Sequence, residues 1–437
     1  YWICAGTSHD EVIRLNRHVH EQTPQLYLSY TENYWRVWVN KNETDYADLS
    51  PRIVELYKRS LLIIRTQIDN EGAILAANDS DVTIRATDHY SYLWTRDGAF
   101  VANALDIAGY PFLTRRFFEL CAEIIHDDGY FSQKYNSDGT VASGWHAAWD
   151  VFARKKLVPI QEDETALVIW ALWEHYDKFR EIEFVRKFYR SLITKAADFM
   201  CDFRDEKSKL PLPSWNLWEN QRGVHTFTCS TVVGGLRAAA KFARLFAEHA
   251  RAEKYETAAD EIVAAMREHL YSAKLGRFLR GLHFHGDEHS ESDATVDASL
   301  FGLFYFGAFD VQDELVKDTM RAVREKLWVN TDIGGLTRFE NDDYMRANES
   351  AQSNAWFICT LWMADYYICR AETKEDLRQA LEILDWTTER ALPSGVLAEQ
   401  VHPTTGEPVS VSPLTWSHST FVATVIRYLN KLKNLRS

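Results

Sequence analysis

From residue 51 almost to the C-terminus, apolar residues recur at helical spacing in about twelve segments, and little else in the sequence competes with that pattern. The first segment, 51–69, sets the type. Ser50 suits an N-cap and Pro51 a first helical position. Ile53, Leu56, Tyr57, Leu61 and Ile64 then fall on one face of a 3.6-residue period. The same spacing predicts helices over 97–109, 112–126, 163–179, 182–203, 226–249, 252–270, 293–307, 310–327, 352–371, 373–390 and 415–433. Strand signals are short, as in Arg277-Phe278-Leu279-Arg280-Gly281-Leu282. The chain reads as all-α.

Three architectures are open to such a chain. A solenoid needs a repeat of roughly 20–50 residues, and none is visible. A bundle favours short connections between antiparallel neighbours. Here long loops recur at 70–96, 127–162, 204–225, 328–351 and 391–414, each rich in Trp, Gly, Asp and Glu. Connections beyond about 12–15 residues inside a compact chain usually carry function. Several such loops converging on one face make a site, which fits a closed barrel of inner and outer helices best. Residues 1–48 read as irregular, with Asn40-Lys41-Asn42-Glu43 breaking up aromatic clusters, and the barrel is expected over 49–437.

Charge narrows the function. The 49 Lys and Arg against 63 Asp and Glu leave a net charge of −14, the wrong sign for neutralising phosphates, so no nucleic-acid partner is expected. No apolar run approaches the ~20 residues that cross a bilayer. Six scattered cysteines without a C-x-x-C pair read as buried thiols of a reduced, cytoplasmic protein. The opening Tyr1-Trp2-Ile3-Cys4 is not a natural start, so secretion stays open. Fifteen Trp and 20 Tyr suit either a large core or a cleft that stacks sugar rings.

Dinucleotide, P-loop, H-E-x-x-H and G-x-S-x-G signatures are all missing, and no cofactor is implied. A solvated hairpin explains His283, His285 and His289 as well as a metal would, so no metal is assigned.

Three loop segments combine carboxylates with Trp and Arg. In Tyr90-Ser91-Tyr92-Leu93-Trp94-Thr95-Arg96-Asp97, the Arg–Asp pair is either a helix cap with a salt bridge or a binder of vicinal hydroxyls. In Ser214-Trp215-Asn216-Leu217-Trp218-Glu219-Asn220, flanking Trp would raise the Glu219 pKa and suit it to protonate a leaving group; a plain surface Glu is the alternative. In Leu397-Ala398-Glu399-Gln400, followed by Thr415-Trp416-Ser417, Glu399 could serve as an ionised base. Two such carboxylates suit glycoside hydrolysis.

In consistent order from about residue 51 to 433, Trp94-Thr95-Arg96-Asp97, Leu217-Trp218-Glu219, Ala398-Glu399-Gln400 and Thr415-Trp416-Ser417 resemble glycoside hydrolase family 15, the glucoamylases with their glucodextranase and trehalase relatives. The resemblance implies a six-fold α/α barrel and an inverting mechanism, with Glu219 as general acid and Glu399 as general base. It also implies sugar contacts by Tyr90, Trp94, Arg96, Asp97, Trp218, Arg338 and Trp416, with Trp145 a candidate stacking residue. Residues 1–48 would be a linker and the remnant of an N-terminal β-sandwich domain. Two departures stand out. Asn220 occupies a position where glucoamylases commonly carry a second Glu, which leaves linkage preference open. Asn354-Ala355-Trp356 replaces N-P-W, with only local backbone expected to change. The leading expectation is exo-cleavage of α-glucans to β-glucose. Hydrolysis of trehalose or α-1,6-glucan, and a non-catalytic oligosaccharide-binding relative, are the alternatives.

Overall fold

The computed structural model describes residues 1–42, 44–78, 88–144, 146–150, 154–285, 289–347 and 352–436. It divides into two units, Tyr1–Ala47 and Asp48–Ser437. The first unit, expected to be irregular, holds two helices, α1 (His9–Glu21) and α2 (Pro24–Val39). The signals are local caps. The Ser8 hydroxyl accepts from the Glu11 amide, and Thr23 accepts from Leu26 ahead of Pro24 at the first helical position. No strand occurs among the described residues of 1–47.

The second unit contains α3 (Pro51–Thr66), α4 (Thr95–Ile107), α5 (Pro111–Ile124), α6 (Glu162–Phe179), α7 (Ile182–Arg186), α8 (Lys195–Asp202), α9 (Thr226–Leu245) and α10 (His249–Ala265). It continues through α11 (Gly302–Tyr305), α12 (Glu314–Leu327), α13 (Phe357–Arg370), α14 (Arg378–Arg390) and α15 (Thr415–Arg436). Neighbour relations close a ring: α4 packs on α6, α6 on α9, α9 on the 298–305 segment, that segment on α13, α13 on α15, and α15 on α4. Outside it lie α3, α5, α7–α8, α10, α12 and α14, each against its inner neighbours. This is a six-fold α/α barrel.

Inner and outer helices differ in sequence as the geometry requires. An inner helix is surrounded, so α4 is buried from Thr95 to Asp106 and α9 from Thr226 to Leu236. Small residues let neighbours approach: a Cβ on Gly235 of α9 would stand 2.8 Å from the Ala166 carbonyl oxygen of α6. Outer helices keep one apolar stripe, as α12 does with Val316, Met320, Val323 and Leu327. In the C-terminal halves of the inner helices, Arg427 of α15 donates to Asp365 of α13 and Asn103 of α4, both at 2.9 Å.

Two expected helices are shorter than their apolar pattern. The 182–203 segment is broken by a π turn at Tyr189–Thr194 between α7 and α8. In place of 293–307 the chain forms a strand ending at Asp293, a 3-10 turn at Ala298–Phe301 and then α11, because the Asp297 side chain caps the later start. Two small antiparallel sheets also build the loop face. One pairs Ser214–Trp215, Arg222–His225, Gly281–His285 and His289–Asp293; the other pairs Ala355–Trp356, Gln400–Val401 and Pro408–Val409.

Candidate active site

Every inner helix starts at the loop face, so six partly positive helix ends point toward one region, where acidic side chains are favoured. There the loops enclose a cavity of about 440 Å³. Its wall includes Tyr90, Trp94, Arg96, Asp97, Trp218, Glu219, Asn220, Arg338, Glu399 and Trp416. Ten positions singled out in the sequence, drawn from four separate loops and the first turns of α4 and α15, thus meet in one place. Trp145 lies outside the described residues.

Glu219 sits at the tip of the hairpin between Ser214–Trp215 and Arg222–His225. Its φ of +63° is the left-handed region, which costs a residue with a Cβ about 1–2 kcal/mol. Asn216 holds the turn by accepting from the Asn220 and Gln221 amides at 3.0 and 3.2 Å. The Asn216 side-chain NH2 also donates to the Asn220 side-chain oxygen at 2.8 Å, so that oxygen is engaged within the turn. The Glu219 side chain remains 13% exposed toward the cavity. Gln133 donates to its Oε2 at 2.7 Å, and Arg96 stands 3.5 Å from its Oε1.

Glu399 precedes the strand Gln400–Val401 and is almost fully buried. The Gln400 side-chain Nε2 donates to its Oε2 at 2.8 Å. Two residues earlier, the Leu397 amide donates to His418 Nε2 at 3.0 Å, and His418 Nδ1 faces the Ser60 hydroxyl at 2.9 Å. Because Nε2 accepts, the proton of that imidazole belongs on Nδ1.

The two carboxyls have different electrostatic company. Around Arg96 stand Asp97 at 3.1 Å, Glu164 at 3.3 Å, Glu219 at 3.5 Å and Asp163 at 3.7 Å. One guanidinium cannot balance four buried carboxylates, so protons are retained. Burial pushes Glu164 well up and Asp163 up to about 6. Burial likewise raises Glu219, with Asp97 adding to the rise and Arg96 and Gln133 opposing it. Burial raises Glu399 too, but its charged neighbour is Arg338 and its hydrogen-bond partners are donors that favour the anion. Arg338 is itself fixed by a bidentate pair to Asp342, 2.7 Å on both arms, and lies 4.5 Å over the Trp356 ring. The Tyr90 and Tyr344 hydroxyls share a 2.7 Å hydrogen bond.

The site also contains residues that the sequence did not single out. Gln133, Tyr344 and Asp342 belong to it. Trp356, noted in the sequence only as the end of the altered motif, belongs to it too: it shares a strand with Ala355, pairing with Gln400, and lines the cavity. The motif departure therefore adjoins the site wall as well as the backbone. Of the histidine cluster, His283 pairs with Asp293 at 2.9 Å, and the side chains of His285 and His289 lie outside the described ones. Among the described residues no group of three or more His, Cys, Asp and Glu is placed to hold a metal ion.

The family model of glycosyl hydrolases family 15 matches residues 51–426. The chain belongs to that family. An uncharacterised glycosyl hydrolase of Methanocaldococcus jannaschii is 26% identical to this family 15 chain, over 89% of it and 59% of the relative. A glucoamylase from a Clostridium species is 24% identical over 95% of the chain and 58% of its own length. A trehalase of Thermoplasma volcanium is 21% identical over 90% and 60%. The chain thus spans 58–60% of the length of these relatives. The chain is also similar in structure to a bacterial glucoamylase complexed with acarbose, with a TM-score of 0.74, 22% identity, and coverage of 98% of this chain and 62% of that one. At 16% identity, the Saccharomycopsis fibuligera glucoamylase gives a TM-score of 0.69 over 91% and 98%.

Proposed function

We propose that the chain is an inverting, exo-acting α-glucoside hydrolase that releases β-glucose from the non-reducing ends of α-glucans. The observation that carries this reading is the meeting of Glu219 and Glu399 in one cavity, the first beside a cluster that retains protons and the second beside Arg338. In this reading Glu219 protonates the glycosidic oxygen, while Glu399 takes a proton from a water attacking the anomeric carbon from the opposite side. That geometry needs carboxyls about 6.5–9.5 Å apart. Arg96 and Asp97 bind hydroxyls of the terminal glucose. Tyr90, hydrogen-bonded to Tyr344, steadies the water and the cationic sugar, and Arg338 faces the leaving sugar. The starts of α4, α13 and α15 line the cavity through Trp94, Trp356 and Trp416, aromatic faces that suit stacking on sugar rings.

The test is to mix the purified chain with maltotetraose and follow anomeric protons by NMR from the first minutes. β-Glucose appearing ahead of mutarotation is expected. α-Glucose first, or internal cleavage products, would overturn the reading. A second reading, cleavage of trehalose or of an α-1,6 link, is favoured by Asn220 at the cavity wall and by relatives named trehalase. Initial rates on maltose, isomaltose and trehalose separate the two.

A further inference from the structure

The Glu219 hairpin is held from outside the cavity as well as from within. Trp218, the residue before Glu219, donates its indole N–H to both oxygens of Asp297, at 3.1 and 3.0 Å. Gln221, two residues after Glu219, accepts through its side-chain oxygen from Arg280. Both anchors converge on that guanidinium. Arg280 Nη1 lies 3.8 Å from Asp297, its Nη2 donates to Gln221, and its Nε donates to Asp293, which His283 engages in turn at 2.9 Å. The arginine is 6% exposed and backed by the Phe339 ring at 5.3 Å. It lies just before the strand Gly281–His285, and its backbone carbonyl accepts from the Thr226 amide at 2.9 Å, where α9 begins.

We propose that Arg280 is a positioning residue for the reaction: through Asp297–Trp218 and through Gln221 it clamps both sides of Glu219 and fixes where that carboxyl stands in the cavity. The proposal rests on reading Glu219 as the general acid. A left-handed residue at a hairpin tip keeps its place only when its surroundings over-determine it, and the rigid planar fork of one arginine reaches three partners at once, which a lysine ammonium on a flexible stem does not.

Arg280→Lys tests this while keeping the charge. We would measure kcat and KM on maltotetraose, trehalose and isomaltose, the pH profile of kcat, the affinity for a thio-linked maltooligosaccharide that is not cleaved, and Tm. The expected result is a fall in kcat of about 100-fold, the order that a displaced catalytic group produces, with affinity for the thio-linked sugar within about twofold of wild type. The alkaline limb of kcat moves to lower pH, because a carboxyl that leaves its buried place relaxes toward an ordinary glutamic acid. Gln221→Leu, which cuts one anchor and spares the sheet, should show the same pattern more weakly with Tm unchanged. Wild-type kcat and pH profile in Arg280→Lys would overturn the proposal. So would a parallel loss of sugar affinity, kcat and Tm in Arg280→Lys with wild-type kinetics in Gln221→Leu, since that is the mark of a purely structural arginine. Glu219→Gln, measured alongside, separates the two levels. If it turns over like wild type, the acid assignment falls and the positioning role with it; if it is inactive while Arg280→Lys is normal, only the positioning role falls.

Discussion

At the scale of single residues, the two carboxyls differ in what their surroundings ask of them. Glu219 sits beside a guanidinium already surrounded by acids, and burial raises its pKa, with Asp97 adding to the rise; burial raises Glu399 too, but its neighbours are donors and Arg338, which oppose the rise. Glu219→Gln and Glu399→Gln should each lower kcat by about 10²–10⁴, the usual worth of a general acid or base, with Tm little changed; steady-state rates and thermal melts check this. His418 carries a different prediction. Burial depresses its pKa to about 3, against an ordinary value near 6.5. Between those values the unfolded chain binds a proton that the folded chain refuses, so stability falls as pH drops below about 6.5. By pH 4 that contribution is on the order of 3 kcal/mol. In His418→Gln, melts at pH 7 should show a less stable protein, since the Leu397 and Ser60 partners are lost, but the further loss down to pH 4 should be smaller than in wild type. An equal or steeper acid loss would contradict a neutral His418. Residues in short contiguous motifs, such as Arg96, Glu219 and Glu399, were legible in the sequence. Gln133, 86 positions from the Glu219 it serves, was not, and neither was Arg280, because a partner brought in by the fold leaves no local spacing to read.

Among the elements, the long barrel helices were legible, whereas α1 and α2 and, apart from the signal at 277–282, the short strands were not. Periodicity persists over three or more turns in α3, α6 and α15, whereas a two-residue strand such as Gln400–Val401 is too short to alternate. Yet those strands flank both carboxyls, Glu219 between Ser214–Trp215 and Arg222–His225 and Glu399 just before Gln400–Val401, so poorly readable elements set the geometry of the site. The close pass of α6 and α9 gives an element-scale prediction. Gly235→Ala would press a methyl against the Ala166 backbone, and overpacking of this kind costs about 1–3 kcal/mol. Thermal unfolding should register that loss, while KM, set at the loop face, stays near wild type.

For the whole molecule, a net charge of −14 would repel an anionic substrate, but a neutral sugar feels no long-range field. kcat/KM should therefore change by less than about twofold as ionic strength rises from about 0.05 to 0.5 M; a steep dependence would point to a charged substrate. Ring closure has another outcome. The first outer helix, α3, packs on the last inner helix, α15, and Tyr428 donates to Asp48, just ahead of α3, at 3.2 Å. Topologically the barrel is a loop with an arbitrary opening. A circular permutant that joins Arg436 to Asp48 and opens at the turn Phe246–Glu248, between α9 and α10 and away from the cavity, would thread the same six-fold ring from a new starting point with every loop of the site intact.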